Sequence, residues 1–215
     1  MGRGAGPRSL EIDTMQITDI IQLRSDSAVR FAARELRRVL QAATGSDARI
    51  RKRRKYRPAG GPAIWLGLFE DFPEQIPPDF TDDATDDAVV VRMGAEGGLI
   101  AGSNPRSVLL GVYRYLTQLG CRWVRPGKNG ERIPQLDGAL PNVDIAEKAS
   151  CRHRGICIEG AVSYEHVRDL VDWLAKLGFN EYFIQFREGH HFFHRWYAHD
   201  ANPRMAARPL SRESL

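Results

Sequence analysis

The stretch from Gly97 to Gly127, GGLIAGSNPRSVLLGVYRYLTQLGCRWVRPG, constrains the fold more than any other part of this sequence. Leu99-Ile100-Ala101 is a short apolar run between glycines, which suits a buried strand entering a tight turn at Gly102-Ser103. Asn104 can cap a following helix, and Pro105 stands at its first position, where a missing N–H costs nothing and φ is already helical. Val108, Leu109, Val112, Leu116 and Leu119 fall on one helical face, and Gly120 supplies a left-handed stop. Cys121-Arg122-Trp123-Val124 then reads as a second strand, ended by Pro126-Gly127. The stretch therefore predicts strand, turn, core helix and strand.

The same glycines are spaced as in a phosphate-binding loop, but Ser103-Asn104 stand where Lys and Ser/Thr would hold phosphate and magnesium. A structural turn is the better reading.

Upstream, residues 1–9 form a Gly/Arg tail, and Leu10 to Leu23 carries short apolar alternations that suggest one or two strands. Ser25-Asp26-Ser27 offers capping oxygens to a helix reaching Ala43, with Val29, Ala32, Ala33, Leu36, Val39, Leu40 and Ala43 on its apolar face. Strands follow around Ala48–Tyr56 and Ala63–Leu68. Asp71 to Asp87, acidic and proline-bearing, reads as a surface loop. Ala88 to Met93 is a buried strand by its β-branched run, turning at Gly94–Gly97 into the opening stretch. These elements predict a mixed sheet with two helices packed on it. Residues 142–150 read as a linker, or as a strand draped over the next unit.

A second unit begins at Cys151. Arg152 to Glu159 is a strand, Ser163 caps a helix with Val167, Leu170, Val171, Leu174 and Leu177 in one stripe, Gly178 stops it, and Tyr182 to Phe186 is another strand. Strand, crossover helix and strand within about 35 residues make a parallel βαβ unit, which cannot bury both sheet faces by itself.

The pattern GG-L-I-AG-x-x-R-x-x-L-x-G-V-Y-x-x-L-x-x-LGCRW-x-x-P, followed by Glu131-Arg132-Ile133-Pro134, resembles the accessory N-terminal domain of some glycoside hydrolases. Bacterial β-hexosaminidases of family 20 and α-glucuronidases of family 67 carry such a domain before a catalytic barrel. In order of elements the resemblance spans residues 10–141. RHRGICIEG, a helix and LGFNEYFIQF extend it, resembling the first βαβ unit of a (β/α)₈ barrel over residues 151–200, with 201–215 an irregular tail. The implied fold class is α/β: an α+β accessory domain followed by the opening of an incomplete barrel. A complete barrel needs about 250 residues, so the resemblance implies a truncated chain.

Ligands in parallel βα structures meet the carboxyl ends of strands. The candidates there are Glu159 after the first strand, and Gln185, Arg187, Glu188 and His190 after the second. The family 20 resemblance implies that Arg154, in its Arg-Gly pair, grips sugar hydroxyls and that Glu159 is the acid at the strand end. An ion pair of Arg154 with Glu159 or Glu188 is an equal reading of the residues. The expected substrate-binding set is Arg154, Glu159, Glu188 and His190. In both resembled families the catalytic carboxylates lie on later barrel strands, so no catalytic residue is expected, and no activity of the chain alone. His191 and His194 lack a third ligand at defined spacing, so no metal or other cofactor is expected.

Composition excludes little beyond this. At 215 residues with 42% hydrophobic and 27% charged residues, the chain has the make-up of a globular protein. No apolar run is long enough to span a bilayer and the N-terminus lacks the apolar core of a secretory signal, so the expectation is a cytoplasmic protein with no membrane partner. Cys121, Cys151 and Cys157 have no zinc-like spacing and read as buried thiols. The basic run Arg49–Arg57, RIRKRRKYR, invites a nucleic-acid reading, but a solvated edge strand outweighs it and no nucleic-acid partner is expected. The function implied is the N-terminal part of a carbohydrate-active hydrolase. The alternative is a stand-alone interaction module whose open βαβ edge needs a partner chain.

Overall fold

Helix α1 (Ser27–Thr44) buries Val29, Ala32, Ala33, Leu36, Val39, Leu40 and Ala43, the face its periodicity predicts. Asp26 at its start makes no side-chain capping bond, a loss of about 1 kcal/mol. Burial of Val29, Leu36, Val39 and Leu40 at about 1.5–3 kcal/mol each, an upper bound, outweighs that easily. Gly45, at φ 75°, closes the helix by donating its N–H to the Gln41 carbonyl. The computed structural model describes residues 17–57, 61–77, 80, 86–137, 140–159 and 164–185. They fall into two compact units: the residues up to Cys121 with Ile133–Ala149, and Arg122–Arg132 with the residues from Ser150 onward.

In the first unit, six strands make one mixed sheet. These are β1 (Asp19–Gln22), β2 (Arg49–Lys52), β3 (Ala63–Leu68), β4 (Ala88–Gly94), β5 (Gly97–Gly102) and β8 (Val143–Lys148), in the order β2-β1-β3-β5-β4-β8. β1 runs parallel to β2 and β3, β3 parallel to β5, and β4 antiparallel to both β5 and β8. The basic run lies at the β2 edge, as predicted, where charges discourage strand pairing. Segment 142–150, read as a linker, instead supplies the opposite edge: Val143 lies against Met93 and Lys148 against Ala88. Its hydrophobics were sparse because only one side of an edge strand needs burying. Gly97, at φ 101°, shows why the β4–β5 turn needs glycine, since a Cβ there would sit 2.1 Å from the Ala63 carbonyl oxygen.

Helix α2 (Pro105–Gln118) packs by Gly111 against Ile100 and Val89 of the sheet. Its Tyr113 hydroxyl donates to Glu35 of α1 at 3.1 Å. Held on two sides, α2 is buried nearly all round, including Ser107, Leu110, Tyr113 and Tyr115, while Leu109, predicted for the core face, is only half-buried. Its C-terminus closes as predicted at Gly120. The Gly120 N–H donates to Thr117 O and the Cys121 N–H to Leu116 O.

The other sheet face holds Ile21, Ala63, Trp65, Val90, Leu99 and Ala101, with Phe72 packed on them. Phe72 is 1% exposed, so part of the predicted surface loop is core. Phe69, Ile76, Phe80 and Tyr56 close over the same cluster, because a sheet with helices on one side must cover the other.

The second unit contains the hairpin β6 (Arg122–Trp123) and β7 (Glu131–Arg132), then β9 (Gly155–Glu159), α3 (Tyr164–Lys176) and β10 (Glu181–Gln185). β9 and β10 pair in parallel, Gly155 with Glu181 through Glu159 with Gln185. Trp173 of α3 donates its indole N–H to the Trp123 carbonyl at 2.8 Å, and the Trp123 indole donates to Glu131 at 2.9 Å. Val167, Leu170 and Leu174 are buried as predicted, but Val171 and Leu177 are 48% and 43% exposed. Gly178, at φ 83°, ends the helix, with Phe179 N–H donating to Leu174 O. Of the cysteines, Cys121 is buried but Cys151 and Cys157 are exposed, a correction to the buried-thiol reading, and no disulfide joins them. Among the described residues no helix is long and apolar enough to cross a membrane.

Candidate functional site

The turn that resembles a phosphate cradle is filled by the protein's own carboxylate. Asp87, 4% exposed, lies at the start of α2, where its Oδ1 accepts from Ser107 Oγ at 2.8 Å and Arg106 Nε at 2.9 Å. Asn104 caps the helix by accepting the Ser107 N–H at 3.0 Å. Ser103 Oγ accepts from Ala88 N–H and donates to Asp86 O. Gly102 is required for close packing, since a Cβ there would lie 2.4 Å from Val108 N. The positive end of the helix thus meets an internal anion. The sequence reading missed Asp87 because its partners lie about twenty residues away.

The predicted sugar site belongs to the second unit. In a parallel ribbon the two strands end together, and Glu159 closes β9 directly beside Gln185 of β10. Glu188 and His190, with His191 and His194, lie outside the described residues. Arg154 precedes Gly155 at the opposite end of β9, five residues and about 16 Å from Glu159 at strand rise. There its Nε donates to Gly178 O at 2.9 Å and its Nη1 to Cys151 O at 2.6 Å. Its backbone N–H donates to Asn180 Oδ1 at 2.9 Å, while its carbonyl accepts from Asn180 and Glu181 N–H. Arg154 therefore clips the end of α3 to the start of the ribbon. Arg154 and Glu159 thus stand at opposite ends of β9.

On the ribbon, Cys157 and Phe183 are direct partners, and both are exposed, Phe183 by 54%. The intervening Ile156 and Tyr182 are half-buried. The buried Tyr182 hydroxyl has no hydrogen-bond partner among the described residues. Burial, and then electrostatic repulsion from the neighbouring Cys157, push its phenol above the ordinary tyrosine range. The ribbon face that exposes Cys157 and Phe183 also carries the exposed Glu181 at its amino end, and the strands finish at Glu159 and Gln185. Among the described residues no group of three His, Cys, Asp or Glu is placed to hold a metal ion.

No protein-family model and no curated protein matches the sequence. Solved structures do match in fold. The GH20 β-N-acetylhexosaminidase from Streptomyces coelicolor A3(2) aligns with TM-score 0.51 and 18% identity over 78% of this chain and 30% of that one. A mutant Streptomyces plicatus β-hexosaminidase in complex with product (GlcNAc) aligns with TM-score 0.52 and 15% identity over 80% of this chain and 31% of that one. CpGH84D aligns with TM-score 0.53 and 17% identity over 81% and 28%. The chain spans less than a third of each of these structures. At such identities the likeness is one of fold, and the fold is one found within glycoside hydrolases.

Proposed function

We propose that this chain is the N-terminal part of a carbohydrate-active glycoside hydrolase, with the first unit as accessory domain and the second as the opening βαβ unit of a catalytic barrel. The observation that carries the reading is the parallel β9–α3–β10 unit, whose ribbon has one open face and whose strands end at Glu159 and Gln185. In the proposal, Glu159, Glu188 and His190 contact sugar hydroxyls at that end, while Arg154 is a positioning residue that holds the ribbon to its helix. Carboxylate acceptors suit this role because they accept from adjacent hydroxyls in fixed directions. Hydrolysis generally needs two carboxyl groups across the scissile bond, and the proposal places them on later barrel strands, so the chain alone binds sugar without cleaving it.

Saturation-transfer NMR with N-acetylglucosamine and glucuronic acid tests this directly. Signal transfer to one of them, lost in Glu159→Gln while the fold is retained, is the expected result, with no release of nitrophenol from aryl glycosides. Absence of transfer from any monosaccharide refutes it. The exposed Phe183 favours one second reading, a module that docks a partner protein through the ribbon. In that case Phe183→Asp abolishes complex formation in size-exclusion chromatography while sugar titrations stay silent.

A further inference from the structure

The basic run at the β2 edge is not spread evenly into solvent. Residues 49–57 hold seven cations and no carboxylate, more than the chain's whole net charge of +4, so the remainder of the protein is net acidic. The structure gathers five of these cations, Arg51, Arg53, Arg54, Lys55 and Arg57, around a cleft of about 720 Å³ floored by Ile21 and Trp65. One carboxylate enters it, Asp19, which accepts from Arg51 Nε at 2.7 Å and lies 3.3 Å from Arg49 Nε. Arg54, Lys55 and Arg57 have no acidic partner among the described residues.

The backbone that carries these cations is held in place although 54–57 lies beyond the sheet, Arg53 still donating its N–H to Gln22 O of β1. Tyr56 is the anchor. Its ring packs edge-on to Trp65 at 5.2 Å and to Phe72 at 4.9 Å, so the residues on either side of it are fixed at the rim. A chain fixed in advance loses less entropy on binding.

We propose that this cleft binds an acidic oligosaccharide, with carboxylate or sulfate groups on successive sugars gripped by Arg53, Arg54, Lys55 and Arg57. The volume fits a ligand of a few rings, and guanidinium forks match planar carboxylate and sulfate oxygens. Cations spread over the segment suit repeated anionic groups better than one small ion. A nucleic acid is disfavoured on two counts. Single strands need exposed ring faces for base stacking, whereas Trp65 is 8% exposed and Tyr56 is engaged on both sides. An extended polyanion would also meet the net acidic remainder. The choice of a sugar ligand rests on the glycoside hydrolase reading, but the site is in the other unit and is tested separately.

Calorimetric titration of the whole chain with a trigalacturonate, a heparin hexasaccharide, neutral chitotriose, sodium sulfate and a twelve-nucleotide single strand distinguishes the outcomes. Binding of the trigalacturonate or the heparin oligomer is expected, the tighter of the two identifying the carboxylate or sulfate source. Affinity should weaken as salt rises, and Arg54→Ala/Arg57→Ala should weaken it about tenfold. Both side chains lie at an exposed rim, so unchanged far-ultraviolet circular dichroism is expected of the double variant. Equal binding of chitotriose, tighter binding of the single strand, binding of sulfate ion as strong as that of the oligomers, or full affinity in the double variant overturns the proposal. Loss of acidic-oligomer binding in this variant with monosaccharide transfer to the second unit intact separates the two readings. Acidic-oligomer binding without that transfer leaves this site standing and removes the other.

Discussion

Replacing Asp87 with alanine tests whether the cradle-like turn is a filled structural site. The Ser107 bond to the carboxylate is buried and charge-assisted, about 1.5–3 kcal/mol. The Arg106 bond involves a side chain 43% exposed and adds about 0.5 kcal/mol after screening. Loss of the anion at the start of α2 adds about 0.3–1 kcal/mol. Ser107 Oγ keeps Ser103 Oγ at 3.0 Å, so its hydroxyl is not orphaned. The expected loss is about 3 kcal/mol, which at a urea dependence of about 1.5 kcal/mol per molar moves the midpoint of the first unit down by about 2 M. Asp87→Asn, which retains an acceptor, should lose about half as much. Acetate should raise the midpoint of Asp87→Ala and leave the wild type unchanged, because only the variant has an empty anion position. A midpoint shift below about 0.5 M in Asp87→Ala, or the same acetate response in both proteins, refutes the reasoning.

Burial holds the Tyr115 phenol well above the ordinary tyrosine range, and its hydroxyl has no partner among the described residues. Stability is therefore intact below about pH 10 and falls above it by about 1.4 kcal/mol per pH unit as only the unfolded chain ionises. Tyr115→Phe should remove that part of the alkaline slope in denaturant titrations and gain about 1 kcal/mol at neutral pH; an unchanged slope counts against it. Gly97→Ala should cost at least about 3 kcal/mol in thermal or urea unfolding, since φ is positive and a backbone oxygen occupies the Cβ position. Arg154→Ala keeps the backbone carbonyl that accepts the Asn180 and Glu181 N–H groups but loses the side-chain bonds to Gly178 O and Cys151 O, so amide exchange at Asn180 and Glu181 should rise. Its effect on stability should be about 1–2 kcal/mol, measured in the same exchange experiment.

Elements set by near neighbours are legible in the sequence. All seven buried residues of α1 follow from a 3.6-residue period, and the Asn104-Pro105 start and Gly120 stop of α2 follow from capping chemistry. The reading weakened wherever burial depends on a distant partner. Periodicity assigned Val171 and Leu177 to the core of α3 and gave α2 one core face, yet α2 is enclosed on several sides and α3 is not. The candidate site divides in the same way. Glu159 at a strand end follows from the βαβ pattern, whereas the clip made by Arg154 depends on where the turn after α3 returns.

The sequence alone determined where α1 and α2 begin and end, and which residues carry charge, because those properties depend on spacing over a few residues. Tertiary structure alone decided that Val143–Lys148 is a sheet edge, that Phe72 is core, that Arg122–Arg132 joins the second unit, and that the basic run meets Asp19, Ile21 and Trp65 around one cleft. Each of those depends on contacts between residues far apart in the chain, and local pattern carries no record of which distant surface will cover a given side chain.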